Sequence, residues 1–321
     1  MDSELLADNY PLLTIHYSLS TIHYYIHHLM PLFNALKSIV SGGRLNVPKR
    51  FALLRKAISG TMSNFYMARD LKTGKVVGLK ILDAQKTAAV ESRFKGLRKP
   101  SEGEIALQLK HPRIVETYEY GLTTENAPYL VMEFVDGPGL NSVLVARDPC
   151  LDGHRVRLLR EAAEAVAAVH AAGFIHRDVC PRNFILTEGG KNLKLIDFGL
   201  TLPATREFMA PGKRTGTPDY MAPEVVRRKP TDQRLDVFAF GVTAYELFTF
   251  ELPWPRGTTG LAAMTHDQPS TDIHEYCPNI HPLLAQAIHA CIEPDVTRRC
   301  PSMPQFLQMI KGVPDEDSGP S

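Results

Sequence analysis

The chain has 321 residues, 44% of them hydrophobic, which is enough to bury a large core in one big domain or two lobes and excludes disorder throughout. With 36 Lys and Arg against 35 Asp and Glu the formal charge is only +1, so neither nucleic acid nor a membrane surface is suggested as a partner. No apolar run reaches the ~18 residues of a membrane span, the start MDSELLAD lacks the basic region of a signal peptide, and Cys150, Cys180, Cys277, Cys291 and Cys300 form no C-x-x-C pair, which together read as a cytoplasmic protein with reduced thiols.

Residues 1–48 read as an extension of uncertain structure. From Asn9 to Asn34 there is no Lys, Arg, Asp or Glu, while His16, His23, His27 and His28 crowd together. His23 and His27, four apart, would share a helix face, but no acidic or cysteine partner follows, so an amphipathic segment is preferred to a metal site. Met30 offers an alternative start. From about residue 50, FYMARD, LKTGK and VVGLKIL predict a hairpin turning at Thr73 and Gly74. A helix is expected over Arg93 to Leu109, then two more strands in RIVETYEYGL and YLVMEFV around the polar turn TTENAP. Beyond Gly137 the pattern turns helical. Leu158, Ala162, Val166 and Val169 recur at helical spacing up to Gly173, and further helices are predicted over 235–248, 281–292 and 303–310 before a disordered tail at 312–321.

The chemistry concentrates after the Ala-rich helix. In FIHRDVCPRNFIL, Asp178 and Asn183 are five positions apart between an apolar helix and an apolar strand. Transfer of a phosphoryl group to a hydroxyl needs a carboxylate to orient the nucleophile and take its proton, and an amide oxygen for a divalent cation. Fourteen residues past Asn183, Asp197-Phe198-Gly199 supplies a second carboxylate suited to magnesium, and Ala222-Pro223-Glu224 closes a segment of 28 residues counted from Asp197. Upstream, Lys80 lies on a predicted strand, and Glu102 stands ten residues before Pro112.

In this order and spacing the motifs resemble those of the eukaryotic-type protein kinase superfamily, over roughly residues 50 to 311, and of its serine/threonine branch. The resemblance implies an α+β, bilobal fold: a small antiparallel N-lobe (about 49–135) and a mostly helical C-lobe (about 136–311), with ATP between them. It implies ATP and Mg2+ as cofactors, with Lys80 paired to Glu102, Asp178 as catalytic base, Asn183 and Asp197 as metal ligands, Met132 as gatekeeper, and Glu133 and Val135 in the adenine-binding hinge. A protein substrate is implied, with Ser or Thr as acceptor; oligomeric state is left open. Asp236 resembles the aspartate that holds the catalytic loop, and Arg299 or Arg298 is the expected partner of Glu224. Arg177 suggests control by phosphorylation at Thr201, Thr205 or Thr215.

Three departures stand out. Only Gly60 remains of the glycine-rich loop, in Ile58-Ser59-Gly60-Thr61-Met62-Ser63, which leaves a pseudokinase scaffold as the alternative to an active enzyme. Phe65 and Gly78 replace the family's Val and Ala above adenine, a swap that approximately conserves volume. Cys180 stands where serine/threonine kinases carry a lysine, while Arg182 occupies the place of the corresponding arginine of tyrosine kinases. Arg182 is therefore the candidate to neutralise the transferring phosphoryl group, and dual specificity stays open.

Overall fold

Alternating apolar positions build the small lobe. The computed structural model describes residues 44–59, 62–94, 96–210, 215–254 and 262–315. Its first sheet has five antiparallel strands: β1 (Phe51–Ser59), β2 (Ser63–Asp70), β3 (Val76–Leu82), β4 (Thr117–Leu122) and β5 (Pro128–Glu133), in the order β1-β2-β3-β5-β4. Gly74, at φ +73°, sits in the turn between β2 and β3, where the hairpin is expected. Because strand side chains alternate, Val77 and Leu79 of β3 and Tyr129 and Val131 of β5 pack into one core with Leu45, Val47, Phe51 and Ala68. The register Gly78 to Met132 and Lys80 to Leu130 turns the other set toward the large lobe. Leu45 pairs with the backbone of Leu122 and Thr124, so the packed structure begins ahead of residue 49.

The expected helix over Arg93 to Leu109 is a correction. The structure has α1 (Ala84–Glu91), a short 3-10 turn at Ser92–Phe94, and then α2, confined to Glu102–Gln108. Pro100 explains the gap, since it disfavours helical backbone at the residue before it, and Ser101 opens the new helix as its N-cap.

The large lobe is built on α3 (Leu140–Ala146), α4 (Arg155–Ala171), α5 (Arg234–Thr249), α6 (Pro282–Cys291) and α7 (Met303–Met309). The predicted stripe of α4 is buried, and Gly173 follows its end at φ +83°. Helix α5 is buried on every side, its polar Asp236, Thr243, Glu246 and Thr249 included, and forms the axis of the lobe. Short strands flank the segments that hold Asp178 and Asp197: β6 (Phe174–Ile175) pairs with β9 (Leu202–Pro203), and β7 (Phe184–Thr187) with β8 (Asn192–Leu195). The predicted tail is ordered at its start, where Val313 is buried and Asp315 pairs with Arg160 at 2.9 Å. Among the described residues no helix is long and apolar enough to cross a membrane, and all five cysteines are free.

Candidate active site

Two groups of side chains meet where the lobes face each other. The first belongs to β3, α2 and the turn after β8. Lys80 Nζ lies 2.6 Å from Glu102 Oε1 and 2.9 Å from Asp197 Oδ1. Burial alone would favour losing the lysine's proton, but the carboxylates of Asp197 and Glu102 more than offset it and raise the pKa of Lys80 above its usual value. Burial pushes Glu102 up despite that lysine. Asp197 is pulled down against its own burial by Lys80 and by the Gly199 N–H, 3.0 Å from Oδ1. Asp197 adopts φ +67°, a backbone state disfavoured for a residue with a Cβ, and Phe198 is buried against the ring of His176.

The second group is the loop between β6 and β7. Asp236, at the start of α5 and fully buried, accepts the backbone N–H groups of His176 and Arg177, each at 2.7 Å, and contacts His170 Nε2 at 2.9 Å. These bonds hold Arg177 at φ +71° and so fix the direction of the next residue. Asp178 Oδ1 accepts from both the backbone N–H and the hydroxyl of Thr217, each at 2.8 Å, and Oδ2 accepts from Asn183 Nδ2 at 3.0 Å. The Ile196 N–H donates to the Asn183 carbonyl at 2.8 Å, which binds this loop to the segment carrying Asp197.

Asn183 donates through Nδ2, leaving its Oδ1 without a described partner, while Asp197 remains partly exposed. An amide oxygen and a carboxylate are hard ligands that suit Mg2+, which keeps waters and substrate phosphates as its remaining ligands. Among the described residues no cluster of three His, Cys, Asp or Glu is placed to hold a metal ion.

Arg182 and Cys180 converge on Thr217. Arg182 Nη2 donates to its hydroxyl at 3.0 Å, and Cys180 Sγ lies 3.6 Å from the same oxygen. Burial pushes the Cys180 thiol up to about 11, so it contributes no charge near neutral pH. Met132 is buried beside Gly78, Glu133 pairs with Lys194 at 2.5 Å and accepts the Glu116 N–H, and no described residue takes the Val135 N–H. The Glu133 ion pair, which joins β5 to β8, was not foreseen. Only its i+61 spacing across two lobes identifies it, and no local pattern carries that information. Gly60 lies outside the described residues.

Glu224 selects Arg299 and not Arg298: the guanidinium meets both carboxylate oxygens at 2.7 and 3.0 Å. The three threonines differ in access. Thr201 is fully buried, which removes it as an acceptor in this state, Thr205 is exposed, and Thr215 accepts from Arg177 Nη2 at 2.5 Å.

A family model described as "Protein kinase domain" matches residues 52–310. Among similar curated proteins, the serine/threonine-protein kinase pkn2 of Myxococcus xanthus is 33% identical over 64% of this chain and 25% of its own. The serine/threonine-protein kinase PknL of Mycobacterium bovis is 34% identical over 64% of this chain and 50% of its own. The hormonally up-regulated neu tumor-associated kinase homolog of Xenopus tropicalis is 31% identical over 79% and 36%. The chain thus aligns with between a quarter and half of the length of these relatives.

Proposed function

The chain belongs to the protein kinase family, and from that premise we propose that it transfers the γ-phosphoryl group of Mg-ATP to serine or threonine hydroxyls of protein substrates. The observation that carries this reading is the Asp178 carboxylate, aimed by Thr217 and Asn183 and tied through Ile196 to the Lys80, Glu102 and Asp197 cluster. Asp178 orients the incoming hydroxyl and takes its proton. Lys80, steadied by Glu102, holds nucleotide phosphates, and Asn183 and Asp197 hold the cation. Bound Mg2+ supplies positive charge against the phosphate oxygens. Arg182 adds charge where Cys180 adds none, and Met132, Glu133 and Val135 border the adenine. On the same reading residues 49–311 are the catalytic domain, and the free thiols fit a cytoplasmic setting. Incubation of the purified chain with Mg-ATP and a mixed peptide substrate, followed by mass spectrometry, should find phosphate on Ser or Thr; phosphate on neither would sink the proposal.

The roof of the nucleotide site supports it further. A methyl built on Gly78 would fall 2.7 Å from Phe65 Cζ and 3.1 Å from Met132 Cγ, so the aromatic ring already fills the space of the absent side chain. Gly78→Ala is therefore expected to weaken ATP binding by roughly 1 to 3 kcal/mol through overpacking, and Phe65→Val to restore it. Calorimetric affinities for the two single variants and the double variant check this. Simple additivity would show that the positions are unrelated.

A further inference from the structure

The lysine-binding carboxylate stands at an unusual place in its helix. Glu102 is the first residue of α2, which has seven residues in all, and helix ends fray. Propensity does not hold so short a helix together in water, and Gly103 in its first turn weakens it further. Two local features compensate. Ser101 and Glu104 form a reciprocal cap: the Glu104 N–H donates to Ser101 Oγ at 3.2 Å, and the Ser101 N–H donates to Glu104 Oε2 at 2.7 Å. Gly103 lies directly on β4, where an added methyl would fall 2.4 Å from Tyr120 Cβ, so the first turn sits as low on the sheet as a backbone can.

Resting on the kinase reading above, we propose that Ser101 and Glu104 are positioning residues for phosphoryl transfer: their cap fixes the backbone of Glu102, and through it the ammonium of Lys80. Neither side chain is hydrogen-bonded to the lysine or Asp197, so on this proposal the effect on transfer passes through Glu102. The neighbouring Lys99 cannot replace the cap, since its ammonium only donates, here to the Pro100 carbonyl, while the helix start needs an acceptor.

The test uses the full chain. Ser101→Ala is expected to lower kcat/KM for Mg-ATP by about tenfold, the usual scale of a lost cap, while Ser101→Asn, which also caps, should recover most of the loss. Glu104→Ala should behave like Ser101→Ala, and Glu104→Gln, which keeps the box, like the unaltered chain. In a Glu102→Gln background Ser101→Ala should add little, because the residue it acts through is already disabled; a purely structural cap would add its full effect. Hydrogen exchange of the 102–108 amides should quicken in Ser101→Ala and slow again in Ser101→Asn. Unchanged kcat/KM in Ser101→Ala, additive losses with Glu102→Gln, or unchanged exchange would each overturn the proposal. Absence of phosphoryl transfer by the unaltered chain would instead defeat the kinase reading, and the exchange measurement would then decide alone whether the cap holds the helix.

Discussion

Asp178→Asn and Lys80→Met are each expected to leave the chain folded and to reduce phosphoryl transfer by about a thousandfold or more. The asparagine keeps the size of the side chain and one acceptor for Thr217, but it brings an amide against Asn183 Nδ2 and cannot accept the proton of an attacking hydroxyl. Lys80→Met keeps the length of the stem in its buried channel and removes the charge that Glu102 and Asp197 share. Burial already raises the pKa of Glu102, and losing the lysine removes the positive charge that opposes that rise. Steady-state phosphorylation of a peptide, measured beside thermal unfolding, separates loss of chemistry from loss of fold. A rate near that of the unaltered chain in either variant would refute the assignment.

Arg182→Ala should lower kcat by about a hundredfold with ATP affinity little changed, the pattern of an interaction made mainly in the transition state. The transferring phosphoryl group spreads negative charge over three oxygens, and a neutral thiol at Cys180 offers nothing against it. Arg182 is exposed, yet its guanidinium reaches the Thr217 hydroxyl, which in turn donates to Asp178. That places its charge two hydrogen bonds from the Asp178 carboxylate. Cys180 Sγ points at the same hydroxyl, so Cys180→Lys would bring an ammonium to the region and should recover part of the activity in the Arg182→Ala background. Normal kcat in Arg182→Ala would mean that the charge comes from elsewhere.

Much of the candidate site's geometry was legible in the sequence because its spacing is enforced by short-range structure. Lys80 had to face the large lobe once VVGLKIL was a strand, since Val77 and Leu79 claim the opposite face. Phe65 and Gly78 could be paired because volume is conserved across neighbouring strands, and the register sets Phe65 against Lys80 and Gly78 against Met67. The choice between Arg298 and Arg299 was open because adjacent residues have the same chemistry, and only the fold decides which one is buried. The long helix expected before Leu109 failed where apolar and charged residues suggested periodicity while Pro100 and Ser101 punctuated it. Thr201 was one of three candidate phosphorylation sites, but beside β9 it is fully buried.

The ion pair between Glu224 and Arg299 joins residues 75 positions apart, with side chains 6% and 0% exposed, and the same guanidinium also takes the carbonyls of Arg234, Glu293 and Pro294. A buried carboxylate deprived of its partner destabilises its surroundings by about 3 to 5 kcal/mol. During synthesis, when the chain emerges at about 5 to 20 residues per second, every candidate site residue from Lys80 to Asp197 leaves the ribosome long before residue 299 does. The segment ending in Glu224 therefore reaches its anchored position only after nearly all of the large lobe has been made. A nascent chain stalled before Arg299 would carry every side chain proposed here for phosphoryl transfer and still lack the anchor for the end of that segment.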